Sequence, residues 1–264
     1  MKILMNCFLS TILFLIIFGC SDSLGIDDNV KEKDKGDEED WGKYFMWETG
    51  NYWYFDNYFT DEEGNEIVWE EGQKQEVLKS VTFQGRKCLE GPVYTSSMYN
   101  HITVYHYVDG SKFYSSGNTF FINWSFVPLK IWDENNWVLT CDLDSETPWK
   151  GYEDNDIEID AIDYTFKGSI KIHGYMGEDT TVTVKDSVYN CKKVINFCDV
   201  EGIITYQNEE YNVGNPNRMT IVYYYAKGVG WLGWRVAFQT PYLPWVEQEY
   251  CGFNSWIRDF HIEE

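Results

Sequence analysis

Apolar and polar residues alternate along much of the chain beyond residue 40, and no stretch there keeps an apolar period of 3.6 residues. Between residues 162 and 173 the even-numbered positions are apolar or small, whereas the odd-numbered positions are polar. This pattern predicts a half-buried β-strand whose even-numbered side chains face a core. Those even-numbered positions are Ile162, Tyr164, Phe166, Gly168, Ile170 and Ile172.

The phase of the alternation changes by one residue just before this run. From Asp156 to Ala161 the apolar positions are odd-numbered, and from Ile162 onward they are even-numbered. A β-bulge inserts an extra residue into a strand and shifts the side-chain alternation in this way. We therefore expect a bulge or a sharp bend at Ala161–Ile162.

Short turn signals separate the alternating runs. Asp109-Gly110 lies between two runs rich in β-branched and aromatic residues, which is a strong hairpin signal. Similar signals occur at Glu63-Gly64-Asn65 and Gln84-Gly85-Arg86, and Asn212–Asn217 is expected to separate two further strands. Consecutive strands joined by short turns favour an antiparallel meander. The predicted fold class is all-β, with a meander that forms one strongly curved sheet or an open half-barrel.

The composition fits such a fold. The hydrophobic fraction of 44% is typical of globular proteins, and the aromatic fraction of 18% supplies rings for a concave sheet. We expect residues 41–264 to form a single β domain. Residues 142–156 are rich in Asp and Glu and form the best interior break. They either divide the domain into two lobes or belong to one continuous sheet.

The first twenty residues have the pattern of an export signal. Lys2 precedes an apolar run at Cys7–Phe18, which is too short to span a bilayer core of about 30 Å. The ending Ile17-Phe18-Gly19-Cys20 resembles the bacterial lipobox. This resemblance implies that a signal peptide at residues 1–19 is removed and that the Cys20 thiol carries a diacylglycerol. The alternative is an ordinary secretory signal in which Cys20 has no role.

An acidic segment follows at residues 20–40, with nine acidic residues and three Lys. It holds too little apolar surface to offset the entropy of ordering, so we expect a disordered tether rather than a charged face of the domain. A multi-chain lipid would anchor the protein to a membrane, with the domain facing the periplasm or the cell surface. Ser21 is not the Asp that retains lipoproteins at the inner membrane of enteric bacteria, which favours the outer membrane in a host that has one.

The formal net charge is −22, from 21 Lys and Arg against 43 Asp and Glu. Phosphate contacts need clustered Lys and Arg, so this balance argues against a nucleic-acid partner. It also argues against adsorption to anionic lipid by charge alone.

Several short motifs occur in order between residues 50 and 230. They are Gly50-Asn51-Tyr52-Trp53-Tyr54-Phe55, Pro128-Leu129-Lys130 followed by Trp137, Val188–Val194, and Tyr224-Tyr225-Ala226-Lys227-Gly228-Val229-Gly230. In order and spacing they resemble uncharacterised β-rich bacterial envelope lipoproteins, including TapB-like domains. The resemblance implies a curved antiparallel sheet, similar in outline to the LolA and LolB carriers, and it implies no catalytic residues. Independently, Gly228 can adopt the positive φ that a tight turn after Lys227 needs.

Candidate catalytic and nucleotide motifs are weak. Gly228–Gly233 matches G-x-G-x-x-G, but that motif binds a nucleotide only between a strand and a helix, and strand-like residues flank it here. There is no G-x-S-x-G, H-E-x-x-H or Walker sequence. We therefore predict no catalytic residues and no cofactor.

Metal sites are also weakly indicated. His101 and His106 are five residues apart and would point to opposite sides of a strand. Asp142-x-Asp144-x-Glu146 resembles the start of a calcium loop but lacks the glycine and the bidentate acid that follow. A solvated acidic face is the expected alternative to an improvised calcium site. His173 and His261 are the remaining histidines.

Five cysteines lie in the predicted domain: Cys88, Cys141, Cys191, Cys198 and Cys251. Export to an oxidising compartment makes disulfides plausible, although an odd number leaves at least one thiol unpaired. On one straight strand Cys191 and Cys198 would lie too far apart to bridge. Buried free thiols are the alternative.

Three functions are compatible with the sequence. The leading hypothesis is a non-enzymatic, lipid-anchored envelope lipoprotein that binds an apolar ligand in an aromatic concavity or supports envelope assembly. The second is a surface glycan-binding protein, and the third is a glycoside hydrolase or esterase. Sugar-stacking candidates for the second are Trp231, Trp234, Trp245 and Trp256.

Overall fold

The computed structural model of the protein describes residues 40–61, 63–91, 105–116, 137–160, 164–184, 186–237 and 252–263. Nearly all of the elements in these ranges are β-strands, preceded by one short helix, α1 (Gly42–Phe45). The first seven strands are β1 (Tyr52–Thr60), β2 (Glu66–Glu76), β3 (Lys79–Phe83), β4 (Arg86–Glu90), β5 (Tyr105–Asp109), β6 (Lys112–Ser116) and β7 (Trp137–Asp142). The others are β8 (Trp149–Asp160), β9 (Tyr164–Met176), β10 (Thr180–Val184), β11 (Ser187–Tyr206), β12 (Glu209–Ala226), β13 (Gly230–Ala237) and β14 (Gly252–His261).

The strands form two antiparallel sheets. The nine-stranded sheet has the order β2-β1-β14-β13-β12-β11-β9-β8, with β10 also beside β11, and the five-stranded sheet is the meander β3 to β7. The all-β antiparallel class predicted from the sequence is thus confirmed, with the strands shared between two sheets. Among the described residues the nine-stranded sheet has three edge strands, β2, β8 and β10, and the five-stranded sheet has two, β3 and β7, so neither sheet closes into a barrel.

Tight turns occur where the sequence predicts them. Gln84 and Gly85 have φ of 52° and 74°, as the two-residue turn between β3 and β4 requires. Asp109 pairs with Lys112 across the turn between β5 and β6. Gly228 has φ of 81° in the turn between β12 and β13, which confirms the predicted hairpin.

Two sequence predictions need correction. The predicted position of the bulge or sharp bend, Ala161–Ile162, lies outside the described residues. Because Asp160 of β8 pairs with Thr165 of β9, the two runs belong to separate antiparallel strands, which contradicts a bulge within one strand. The change of phase therefore marks a chain reversal, after which Phe166 shares the buried face with Ile157. Asn212–Asn217 does not separate strands either. It lies inside β12, where the pairing with β11 shifts register.

The main core lies on the inner face of the nine-stranded sheet, which the five-stranded sheet and the segment after α1 cover. The rings of Phe45 and Trp47 lie 5.4 and 5.3 Å from that of Phe113 on β6. The amide Nδ2 of Asn196 on β11 donates to the Thr140 carbonyl on β7 at 2.8 Å, which ties the two sheets together. These contacts fill the inner face and leave the outer face available for a site.

Candidate functional site

A groove lies on the outer face of the nine-stranded sheet. β9 and β10 run one after the other along the 20-residue strand β11, and the part of β11 paired with β10 extends beyond its pairing with β12. β10 lies across the groove from the outer faces of β12, β13, β14 and β1, and the groove has a volume of about 600 Å³. Its lining consists of Asp56, Tyr58, Glu66, Thr180–Val184, Tyr224, Arg235, Trp256, Ile257 and Arg258.

The floor of the groove is a row of side chains set by strand register. Tyr224 pairs with Gly233, Gly233 with Trp256, and Trp256 with Asp56, so all four positions share one face of the sheet. The Trp256 ring lies over Gly233, because a Cβ added there would be 2.7 Å from Trp256 Cε3. Gly233 therefore makes the space in which Trp256 lies against the sheet.

Arg235 lies beside this row without an acidic partner. Its guanidinium is 4.9 Å from the centre of the Trp256 ring, within range of a cation–π interaction. The other arginine of the groove, Arg258, lies 3.4 Å from Asp56 and 3.7 Å from Glu71. Within the described part of the chain, no carboxylate forms an ion pair with Arg235. Among the described residues, Arg235 is thus the groove arginine that has no carboxylate partner.

Hydrogen-bonding groups surround the aromatic floor. Burial, more than any other cause, raises the pKa of Tyr224 and of Tyr58, so both phenols remain protonated donors at neutral pH. Asp56 accepts from the Gly72 amide at 2.9 Å, and Glu66 accepts from Asn254 Nδ2 at 2.7 Å. Each carboxylate accepts its bond through one of its two oxygens, Oδ1 of Asp56 and Oε1 of Glu66. Among the described residues the second oxygen of each carboxylate has no hydrogen-bond partner.

The four tryptophans proposed from the sequence have different environments. Trp231 and Trp234 are 7% and 2% exposed in the core, so they cannot form an exposed sugar-stacking row. A register shift between Tyr224 and Tyr225 brings both indoles to the inner face, where their ring centres are 4.5 Å apart. Trp256 lines the groove, and Trp245 lies outside the described residues.

Sequence reasoning missed Arg235, Tyr224 and Asp56 as site residues. Strand alternation could have identified Arg235. Successive side chains of a strand point to opposite faces, and Arg235 follows the buried Trp234, so it points away from the core. Their convergence depends on pairing between strands far apart in sequence, because β1 lies beside β14. No local sequence pattern predicts that β1 pairs with β14.

The histidines form no metal site among the described residues, where no group of three His, Cys, Asp or Glu side chains could hold a metal ion. His106 is buried, and its Nδ1 lies 3.0 Å from Ser115 Oγ. His173 lies 3.6 Å from an Asp199 carboxylate oxygen, and His261 stacks on Tyr52 with ring centres 5.1 Å apart. His101 lies outside the described residues.

In the acidic segment, Asp142 is nearly buried and accepts from Ser111 Oγ at 2.7 Å, whereas Asp144 and Glu146 are exposed. Among the described residues, the three acidic side chains of the Asp142-x-Asp144-x-Glu146 pattern form no group that could hold a metal ion. The strand β8 occupies the second half of the 142–156 interval, and residues 143–148 connect the two sheets. The strand β13 (Gly230–Ala237) begins inside the Gly228–Gly233 motif, so a strand occupies the position of the helix that a nucleotide-binding motif needs.

The described cysteines Cys88, Cys141, Cys191 and Cys198 are all buried free thiols. Burial raises the pKa of each thiol, in the case of Cys191 to about 11. These four cysteines are therefore buried free thiols, as the alternative to disulfides predicted. Cys251 and the lipidation candidate Cys20 lie outside the described residues.

Comparison with known proteins places the chain beside two solved bacterial structures. A candidate lipoprotein of Parabacteroides distasonis is 12% identical, with a TM-score of 0.44, over 83% of this chain and 98% of that one. A candidate exported protein with a YmcC-like fold from Bacteroides fragilis is 10% identical, with a TM-score of 0.38 over the same shares. No protein-family profile and no curated protein sequence matches.

Within the described residues, no helix is long and apolar enough to cross a bilayer.

Proposed function

We propose that this protein is a lipid-anchored protein of the bacterial cell envelope that binds a glycan in the groove, without catalysing a reaction on it. The observation that carries the proposal is the position of Trp256. Its ring lies against the sheet at Gly233, on the floor of a groove whose other side chains offer hydrogen bonds. Glycan binding was the second of the hypotheses formed from the sequence, with Trp256 among its candidates.

The chemistry of the groove suits a sugar. The C–H face of a pyranose packs against an indole, while its hydroxyls need donors and acceptors around the ring. Tyr58 and Tyr224 supply phenol donors, and the threonines of β10 supply hydroxyls. The second carboxylate oxygens of Asp56 and Glu66 supply acceptors. An apolar ligand would leave these groups without partners, which is unfavourable.

The inner face gives less support to an apolar carrier. The rings there pack closely, with centres 5.3 Å apart for Phe55 and Trp234 and 5.7 Å apart for Phe55 and Trp231. These side chains are already core, so an apolar ligand could enter only by displacing them. The groove requires no such displacement.

Binding is tested on the full chain, extracted in a detergent that has no sugar headgroup and applied to an array of bacterial and host glycans. We expect saturable binding that Trp256→Ala abolishes. Trp137→Ala is the matched control, because Trp137 is partly exposed on β7 and does not line the groove. Mass spectrometry of the bound glycan should show it intact. Equal loss of binding in both variants, or cleavage of the glycan, would contradict the proposal.

The anchor is tested separately. Cells grown with an alkyne-labelled fatty acid should label the wild-type protein, and Cys20→Ala should remove the label and release the protein from the membrane fraction. Cys7→Ala is the matched control, because Cys7 belongs to the segment that is expected to be cleaved. A label that survives in Cys20→Ala would contradict lipidation at this cysteine.

A further inference from the structure

We propose that the glycan bound in the groove is acidic and that Arg235 binds its carboxylate. This inference rests on the proposed glycan-binding function and specifies the class of sugar. It goes beyond that function because a neutral sugar would need Trp256 but would not need a guanidinium.

The first argument is the unequal pairing of the two groove arginines. Arg258 already has two carboxylates, Asp56 at 3.4 Å and Glu71 at 3.7 Å. Arg235 has none within the described residues, in a chain with about twice as many acidic as basic residues. Because Arg235 lacks a carboxylate partner among the described residues, its five N–H donors remain available to a ligand.

The second argument is orientation. The Arg235 guanidinium lies 4.9 Å from the Trp256 ring centre, so the ring favours one position of an otherwise exposed side chain. The planar guanidinium matches a carboxylate through two parallel hydrogen bonds, a geometry that lysine does not provide. A uronic or sialic acid carries its carboxylate directly on the sugar ring. Because one face of the indole lies against Gly233 and the guanidinium lies over the ring, such a sugar would pack on the part of the indole that the guanidinium leaves uncovered and would place its carboxylate at Arg235.

The net charge of −22 does not prevent this binding. At physiological ionic strength the Debye length is about 8 Å, so distant carboxylates are screened and the nearest charges dominate. Within the groove lining, Arg235 and Arg258 balance Asp56 and Glu66. Glu71, 3.7 Å from Arg258, adds one negative charge beside the lining, so a bound carboxylate would depend on its direct contact with the Arg235 guanidinium and not on the net local charge.

The test compares two tetrasaccharides of similar size on the full chain in sugar-free detergent. One is the hyaluronan tetrasaccharide, which contains glucuronate, and the other is chitotetraose, which is neutral. The array used for the proposed function supplies further acidic and neutral pairs. Affinities are measured by isothermal titration calorimetry at 50 and 300 mM salt for the wild type and for Arg235→Gln, Arg235→Lys and Lys193→Gln. Lys193 is the control cation, because it is opposite Tyr224 on β11, and so close to the groove, but is not one of the lining residues.

We expect the acidic member of a pair to bind at least tenfold more tightly than the neutral one. Arg235→Gln should weaken acidic binding by about tenfold to a hundredfold and leave neutral binding unchanged. Arg235→Lys should restore only part of the affinity, higher salt should weaken the acidic ligand alone, and Lys193→Gln should have no effect.

Two other results would overturn different parts of the proposal. If acidic and neutral glycans bind equally and Arg235→Gln changes neither, the inference about acidic sugars is overturned and glycan binding stands. If no glycan of either class binds, the proposed function itself is overturned, and the inference with it.

Discussion

Trp234 and Trp256 are on adjacent strands but on opposite faces of the nine-stranded sheet, and their surroundings differ completely. Trp234 is 2% exposed and lies 5.3 Å from Phe55 and 4.5 Å from Trp231, measured between ring centres. Trp256 is only partly buried and contacts Gly233 and Arg235. Residue type alone therefore does not distinguish a core tryptophan from one that lines the groove. The face on which the register places it does.

Substitution of the inner tryptophan gives the largest expected effect. Trp234→Ala would leave a cavity among close-packed rings, and we expect it to lower the free energy of unfolding by about 3–5 kcal/mol. Urea unfolding followed by circular dichroism measures this change. A loss below about 1 kcal/mol would mean that the inner face is not the close-packed core described above.

His106, on β5 of the five-stranded sheet, makes the core sensitive to acid. Burial lowers the pKa of its ring to about 3 from an ordinary value of 6.5. Above pH 6.5 the ring is neutral in both states. Between pH 6.5 and about 3 the unfolded state binds a proton that the folded state does not bind. The free energy of unfolding should therefore fall by about 1.4 kcal/mol per pH unit within that window, and the ring adds no further slope below it.

The variant His106→Asn isolates this contribution. Asparagine can keep the contact that Nδ1 makes with Ser115 at 3.0 Å, but it does not titrate. Between pH 7 and pH 5, unfolding titrations should show about 2 kcal/mol less pH dependence for this variant than for the wild type. His261→Asn is the matched control, because His261 is exposed and stacks on Tyr52. Equal pH dependence in all three proteins would show that His106 is solvated.

Some features of the fold can be predicted from the sequence, whereas the groove cannot. Alternation identifies the strands, and turn residues such as Gln84 and Gly85 identify hairpins, because both are local properties of the chain. The faces of Trp231 and Trp234 could not be predicted. Trp231 and Trp234 are three residues apart, so a regular strand would place them on opposite faces. The register shift at Tyr224–Tyr225 instead places both in the core. The groove needs β1 beside β14, a long-range pairing that no periodicity encodes.

A buried polar strip on the inner face gives a smaller expected effect. Ser255 Oγ donates to Asn57 Oδ1 at 2.7 Å, and Asn57 Nδ2 donates to Gln73 Oε1 at 3.1 Å. Ser255→Ala would leave the Asn57 oxygen without this donor, so we expect a loss of about 1–2 kcal/mol in urea unfolding. Ser187→Ala is the control, because Ser187 is exposed at the start of β11. If Ser255→Ala left the free energy of unfolding unchanged, water would be replacing the hydroxyl.

The outer tryptophan should have the smallest effect on stability and a large one on binding. Trp256→Ala removes a partly exposed ring without opening a sealed cavity, so we expect a loss of roughly 1 kcal/mol in the same assay. Abolished glycan binding with nearly wild-type unfolding would separate the two faces by function as well as by position. A loss of 3 kcal/mol or more, like that expected of Trp234→Ala, would instead make Trp256 a structural residue. The loss of binding would then report unfolding of the groove, and the distinction between the faces would fail.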